Sequence, residues 1–386
     1  MGLQRAGSGE ATFFGGASMK TVRLAIVVFG CLSGMLPAQE GGPSVVPSKS
    51  WNSQAAAAYL DARISRWMDW PPAARDHDTF CVSCHTAAPY ALARPALRGI
   101  AGEPTPSALE RRLLDNVIRR VRMWKDVAPF YPSKSDGDPK TAESRGTESI
   151  LNGLILVRYD EGSGKLSPDT KLALDAMWAE QLKTGAARGA WPWLEFHNSP
   201  WEGDSQYYGA ALAAVAVGKT PAEYRGSPEI RDGLKLLSEY LVRGEASQVP
   251  INRVMLLWAA ARLPRLLSGE RQKALIGEVL AAQQADGSFC LCSLIGGWKR
   301  KDNTPLETRG DGYATGLIVL ALEQAGVPDA QPQVSRARHW LAANQSADGN
   351  WPAWSLNKQR DPASEAGHFM SDAATAYAVL ALTHSR

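Results

Sequence analysis

The chain has 386 residues, 45% hydrophobic and 21% charged, values of an ordinary globular protein that exclude wholesale disorder. Lys+Arg 42 against Asp+Glu 39 leaves +3 with no basic block, which argues against nucleic-acid binding and a polybasic membrane anchor. Five cysteines are too few for a miniature fold built on disulfides.

Met19-Lys20-Thr21-Val22-Arg23 is a short positive segment, and Leu24 to Phe29 is an apolar run that weakens toward Met35 and Leu36. Leu36-Pro37-Ala38 then offers a small-residue cleavage site before Gln39. Residues 1–38 therefore read as a secretory signal peptide with its true start at Met19, and the product is expected to be periplasmic or secreted. Val28-Phe29-Gly30-Cys31 loosely resembles a lipoprotein box; the alternative is an ordinary residue removed with the peptide. No later run of 18 apolar residues exists, so no transmembrane segment is expected. Residues 39–50, rich in Gly, Pro and Ser, read as a linker before a single domain over 51–386.

Helical periods fill that domain, near 54–69, 85–98, 106–125, 146–160, 168–183, 205–218, 228–243, 250–265, 270–284, 311–325, 333–345 and 371–384. They alternate in character. Ala210 to Val217, Gly316 to Leu322 and Ala376 to Leu382 are apolar and small all round, which demands burial on every side. Arg111 to Arg120 is amphipathic and suits an outer layer. The buried set starts near 85, 146, 205, 250, 311 and 371, in steps of 61, 59, 45, 61 and 60, which marks a repeat architecture. The expected fold is all-α, an α/α toroid of six outer–inner hairpins; an open solenoid is the alternative.

Arg336-Ala337-Arg338-His339-Trp340-Leu341, followed by Gln345, Gly349 and Trp351, fits R-A-x2-W-L-x3-Q-x3-G-x-W. A weaker copy carries Gln283, Gly287 and Phe289, and a ragged third includes Gln181, Gly189 and Trp191. The pattern resembles the QW repeat of the squalene–hopene cyclase and prenyltransferase superfamily, over most of residues 51–386. The resemblance implies that each Gln bonds nearby backbone ends and each Trp packs over it. It does not carry the superfamily's chemistry across. The chain has no D-x-D-D acid cluster, and Asp311-Gly312-Tyr313 places Tyr where a prenyltransferase zinc site needs Cys.

Cys81-Val82-Ser83-Cys84-His85 matches C-x-x-C-H, the c-type haem attachment motif. Two thiols three apart on a turn can reach both haem vinyl groups while His85 ligates the iron. The expected cofactor is covalent haem c on Cys81, Cys84 and His85. The sixth ligand is expected from Met370 or His368, ahead of Met123, His77 and His197. The rivals are a disulfide or redox pair, a chance match, and structural zinc held by Cys81, Cys84, Cys290 and Cys292.

Glu148, Tyr207, Asp311, Tyr313 and Asp372 open later inner helices and form a candidate cavity rim, with Trp191, Trp193, Trp201 and Trp298 as possible walls. For Asp204, Asp311 and Asp372 helix N-capping is the simpler role. The expected function is electron transfer or redox chemistry on an apolar ligand, and the expected partner is a periplasmic redox protein or an apolar, isoprenoid-like small molecule. Two alternatives stand beside it. One is a terpenoid cyclase relative without haem, using Asp311 or Asp372 as its acid. The other is a non-enzymatic binding toroid with zinc or disulfides. No catalytic acid or base is assigned.

Overall fold

The computed structural model describes residues 50–384, except 137, 138, 198 and 202–204. The expected signal peptide, nearly all of the linker, Cys31 and Asp204 lie outside the described residues. Those that are described belong to one compact unit, Pro47–Arg386. No helix among them is long and apolar enough to cross a membrane.

The first hairpin pairs α1 (Ser53–Asp69) with α2 (Ala87–Ile100). Between them lies a two-stranded ribbon, β1 (Ala74–Arg75) against β2 (Thr79–Phe80). The second pairs α3 (Ala108–Arg122) with α5 (Lys140–Asp160), across the single turn α4 (Ser133–Asp136). Next come α6 (Pro168–Ala179) with α7 (Gln206–Gly218), the short α8 (Ala222–Arg225), and α9 (Pro228–Gly244) with α10 (Pro250–Arg262). The last two hairpins are α11 (Gly269–Ala281) with α12 (Gly312–Gln324), and α13 (Pro332–Ala343) with α14 (Glu365–Thr383). The starts follow from capping chemistry. Ser107 and Glu110 form a capping box on α3, and Ser167, Ser268 and Ser364 each accept a backbone N–H at the first turn of their helices. Proline occupies the first position of α6, α9, α10 and α13, where its missing N–H costs nothing.

All twelve expected helices are present. Two begin six residues earlier than expected: α5 at Lys140 and α14 at Glu365. The second difference matters because Asp372 then lies inside α14, not at its cap. Asp311 does cap α12, accepting from Ala314 N–H at 2.8 Å.

The inner helices close a ring. Helix α2 packs on α5, α5 on α7, α7 on α10, α10 on α12, α12 on α14, and α14 returns to α2. That closure excludes the open solenoid and makes the fold an α/α toroid. Small residues allow the tightest approach: a Cβ on Gly316 of α12 would lie 2.6 Å from the Ala378 nitrogen of α14. Outside the ring, α6 lies on α5, α9 on α7, α11 on α10 and α13 on α12, while α1 lies against both α2 and α14.

The Gln–Gly turns brace successive outer helices. Gln181 Nε2 donates to Gly189 O at 3.1 Å and to Gly233 O of α9 at 2.9 Å. Gln283 Nε2 donates to Gly287 O at 2.9 Å and to Gln333 O of α13 at 2.7 Å. Gln345 Nε2 donates to Gly349 O and Asn52 O, both at 2.9 Å, and its Oε1 accepts from Asn52 N–H at 2.7 Å. Asn52 caps α1, so the last repeat is tied to the first. Gly349 sits at φ +87°, and a Cβ there would lie 2.3 Å from Ala55 O. Trp351 packs beneath, donating through Nε1 to Leu341 O at 2.8 Å.

Gln345→Ala removes all three of these bonds. It should lower unfolding free energy by about 2 kcal/mol in urea titrations. A loss below about 0.5 kcal/mol would show that the clasp contributes little to closure.

Candidate functional site

The inner helices run in the same sense, so their N-terminal ends converge on one mouth of the ring. A cavity of about 450 Å³ opens there, within the range of small-molecule sites. Its walls are Trp67 and Trp70 from the end of α1, Trp201 from the loop before α7, and Phe369 and Met370 from α14. Ser199, Asn357 and Arg360 add polar groups, and His85 forms part of the lining.

The loop carrying His85 is held by its neighbours. Trp67 Nε1 donates to Cys81 O at 2.7 Å. Asn116 of α3 accepts from Phe80 N–H at 2.8 Å and donates to Phe80 O at 3.1 Å. Ser83 Oγ accepts from the N–H groups of Thr86 and Ala87 at 3.2 and 3.0 Å, starting α2. The His85 ring then stacks on Phe369, centroids 3.7 Å apart and planes 17° apart, with Trp67 edge-on at 4.9 Å.

A chain of hydrogen bonds runs behind the imidazole. Asp372 is 1% exposed, and its Oδ1 accepts from Tyr59 Oη at 2.9 Å and Arg63 Nε at 2.8 Å. Its Oδ2 accepts from Thr86 Oγ1 at 2.7 Å. Thr86 spends its only proton on Asp372, so Thr86 Oγ1 accepts from His85 Nδ1 at 2.9 Å. His85 is thus the Nδ1–H tautomer, with the Nε2 lone pair left over. Burial raises the Asp372 carboxyl above its usual range, and Arg63 opposes that shift. Desolvation, with repulsion from Arg63 second, pushes His85 down to about 3, so the imidazole is neutral near pH 7.

The other expected site residues lie elsewhere. Met370 lines the cavity with His85, but His368, two residues earlier on α14, does not. Glu148 is buried beneath, paired with Arg120 Nε at 2.5 Å. Tyr207 donates to Leu241 O at 2.6 Å. Tyr313 packs against Tyr377 in the ring interior, centroids 5.1 Å apart. Asp311 accepts from Leu291 N–H at 2.6 Å as well as capping α12, and burial pushes its carboxyl up to about 7. Of the four tryptophans proposed as walls, Trp201 lines this cavity and Trp191, Trp193 and Trp298 do not. Sequence reading missed Trp67, Trp70 and Phe369, because only the tertiary fold brings the ends of α1 and α14 to one place. It also missed Thr86, although Thr86 directly follows the C-x-x-C-H motif.

Cys81 and Cys84 are buried, and neither is among the residues lining the cavity. Cys84 instead lies within electrostatic reach of Tyr377 in the ring interior. Cys290 and Cys292 are bonded to each other, which occupies two of the four thiols of the rival zinc reading. Among the described residues no three His, Cys, Asp or Glu side chains gather as a metal group.

No family model matches the chain, and no curated protein matches it. Solved structures do: a glycosidase variant in complex with glucose and a further glycosidase variant, both at 14% identity. Each alignment covers 86% of this chain and 96% of the other, with TM-scores of 0.47 and 0.48. The haem-bearing electron carrier expected from C-x-x-C-H is corrected here. The matched structures are glycosidases, and no metal-holding group of His, Cys, Asp or Glu forms among the described residues. Covalent haem needs both thiols and the imidazole to face one space, and here only His85 faces the cavity. The spacing placed three groups on one turn but could not say which way each side chain points.

The depressed His85 pKa has a thermodynamic consequence. The unfolded chain takes up the proton first, so stability falls as pH drops from about 6.5 toward 3, by up to about 1.4 kcal/mol per unit. Denaturation of His85→Gln across that range should show a shallower slope than the parent; equal slopes would refute a neutral imidazole at this position.

Proposed function

We propose that the aromatic cavity is the seat of function and binds a compact, largely apolar molecule of isoprenoid character through its hydroxyl group. The observation that carries this reading is the neutral imidazole of His85, fixed by Thr86 and Asp372 among aromatic rings. A lone pair on Nε2 in such a setting accepts a hydrogen bond from a hydroxyl, and the surrounding ring faces favour hydrocarbon. The Gln–Gly braces support kinship with the squalene–hopene cyclase and prenyltransferase superfamily, and that kinship favours an isoprenoid over other apolar ligands. Among the described residues lining the cavity none carries a carboxylate, so no acid–base pair is assigned. The reading is therefore of a binding site.

Equilibrium dialysis of radiolabelled farnesol against the full chain tests it. One saturable site per chain is expected, weakened about tenfold by Phe369→Ala, which removes a ring face. Farnesyl methyl ether, which cannot donate a hydrogen bond, should also bind about tenfold more weakly. Saturable binding of methyl glucoside with none of farnesol would overturn the isoprenoid reading, and so would farnesol binding that ignores Phe369→Ala.

Thr86→Val should release the His85 tautomer, read from imidazole 15N shifts, and Thr86→Ser should restore it. If Thr86→Val leaves those shifts unchanged, Thr86 does not position the ring.

A further inference from the structure

At the opposite mouth of the ring, the inner helices bring their C-terminal ends together around a second cavity, of about 310 Å³. It is lined by Arg158 of α5, Lys219 after α7, Trp258 and Arg262 of α10, and by Glu161. Three cations face one carboxylate, with Gln324 and His384 also on the wall. Ordinary packing accounts for two of the cations. Lys219 Nζ lies 2.8 Å from Glu161 Oε2, and Arg158 Nη1 lies 3.1 Å from the same oxygen. Arg158 Nε also donates to Leu92 O at 3.1 Å. Cations near helix C-termini are favoured by the helix dipole as well.

That account leaves two donors over. Arg262 Nε and Trp258 Nε1 are buried and have no hydrogen-bond partner, and Trp258 is only 2% exposed. A buried N–H left unsatisfied costs about 1–3 kcal/mol. Burial also lowers the pKa of Arg262 and pushes Lys219 down to about 8, although Glu161 opposes both shifts. An anion entering the cavity would satisfy both donors and the excess charge together.

We propose that this cavity is a binding site for a small oxyanion, a phosphate or carboxylate group held by Arg262, Lys219 and the Trp258 indole N–H. Arg262 supplies a planar guanidinium whose donors suit such an anion. The site is separate from the aromatic cavity and does not depend on what that cavity holds.

The test uses the full chain, with inorganic phosphate and acetate as probes and chloride at equal ionic strength as control. Isothermal titration should show one saturable site for phosphate or acetate that chloride does not reproduce. Arg262→Gln should weaken that binding about tenfold, and Trp258→Phe about fivefold, with far-UV circular dichroism unchanged. Should Arg262→Gln fail to fold, Trp258→Phe and Lys219→Gln carry the same comparison. A preference for phosphate or for acetate identifies which group the site takes. No saturable binding of either probe at millimolar concentration would overturn the proposal. So would binding that survives in all three variants.

Discussion

The structure depends on the closure of its ring, which Gln345 clasps from outside. An open row of helical hairpins would leave the first and last inner helices with one apolar flank in water. Helices α2 and α14 are apolar on nearly every side, so each must have a neighbour on both flanks. Gln345 secures that pairing from outside by binding the backbone of Asn52, while α14 packs against α2 inside. The same device at Gln181 and Gln283 joins neighbouring hairpins within the chain. What differs at Gln345 is that its two partners are nearly the whole domain apart in sequence, so it ties the last hairpin to the first, as Asp372 does through Tyr59, Arg63 and Thr86.

Closure also gives the molecule two unlike ends. Inner helices that all run the same way gather their N-terminal ends at one mouth and their C-terminal ends at the other. Free backbone N–H groups at the first mouth call for acceptors, and Ser83, Asp311 and Ser364 supply them. The second mouth collects Arg158, Lys219 and Arg262. The aromatic cavity therefore forms where acceptors already meet the helix starts, and the basic cavity forms where cations do. Asp372 departs from this pattern because α14 starts about two turns before it. Released from capping, its carboxylate binds Tyr59, Arg63 and Thr86 and so sets the tautomer of His85.

Reading the sequence located the repeats well because burial and turn chemistry are local properties. The run Ala210 to Val217 has no polar face, whatever surrounds it, and Gly349 marks a left-handed turn on its own. The motif at Cys81 to His85 was legible as a spacing, and of its three groups only His85 lines the cavity. Spacing along a turn records which side chains are near one another, not which of them face a common space. Trp67, Trp70 and Phe369 carried no signal at all, since each alone is an ordinary packing residue.

The amino-acid sequence by itself determined the helices, their inner and outer layers, and the glutamine turns, because hydrophobic period and glycine conformation act over a few residues. Those buried inner helices also point to a closed ring, but the tertiary structure alone decided that His85 faces the cavity while Cys81 and Cys84 do not. It also decided that Asp372 reaches across three helices to fix the imidazole. Those outcomes depend on distances between segments far apart in the chain, which no local pattern encodes.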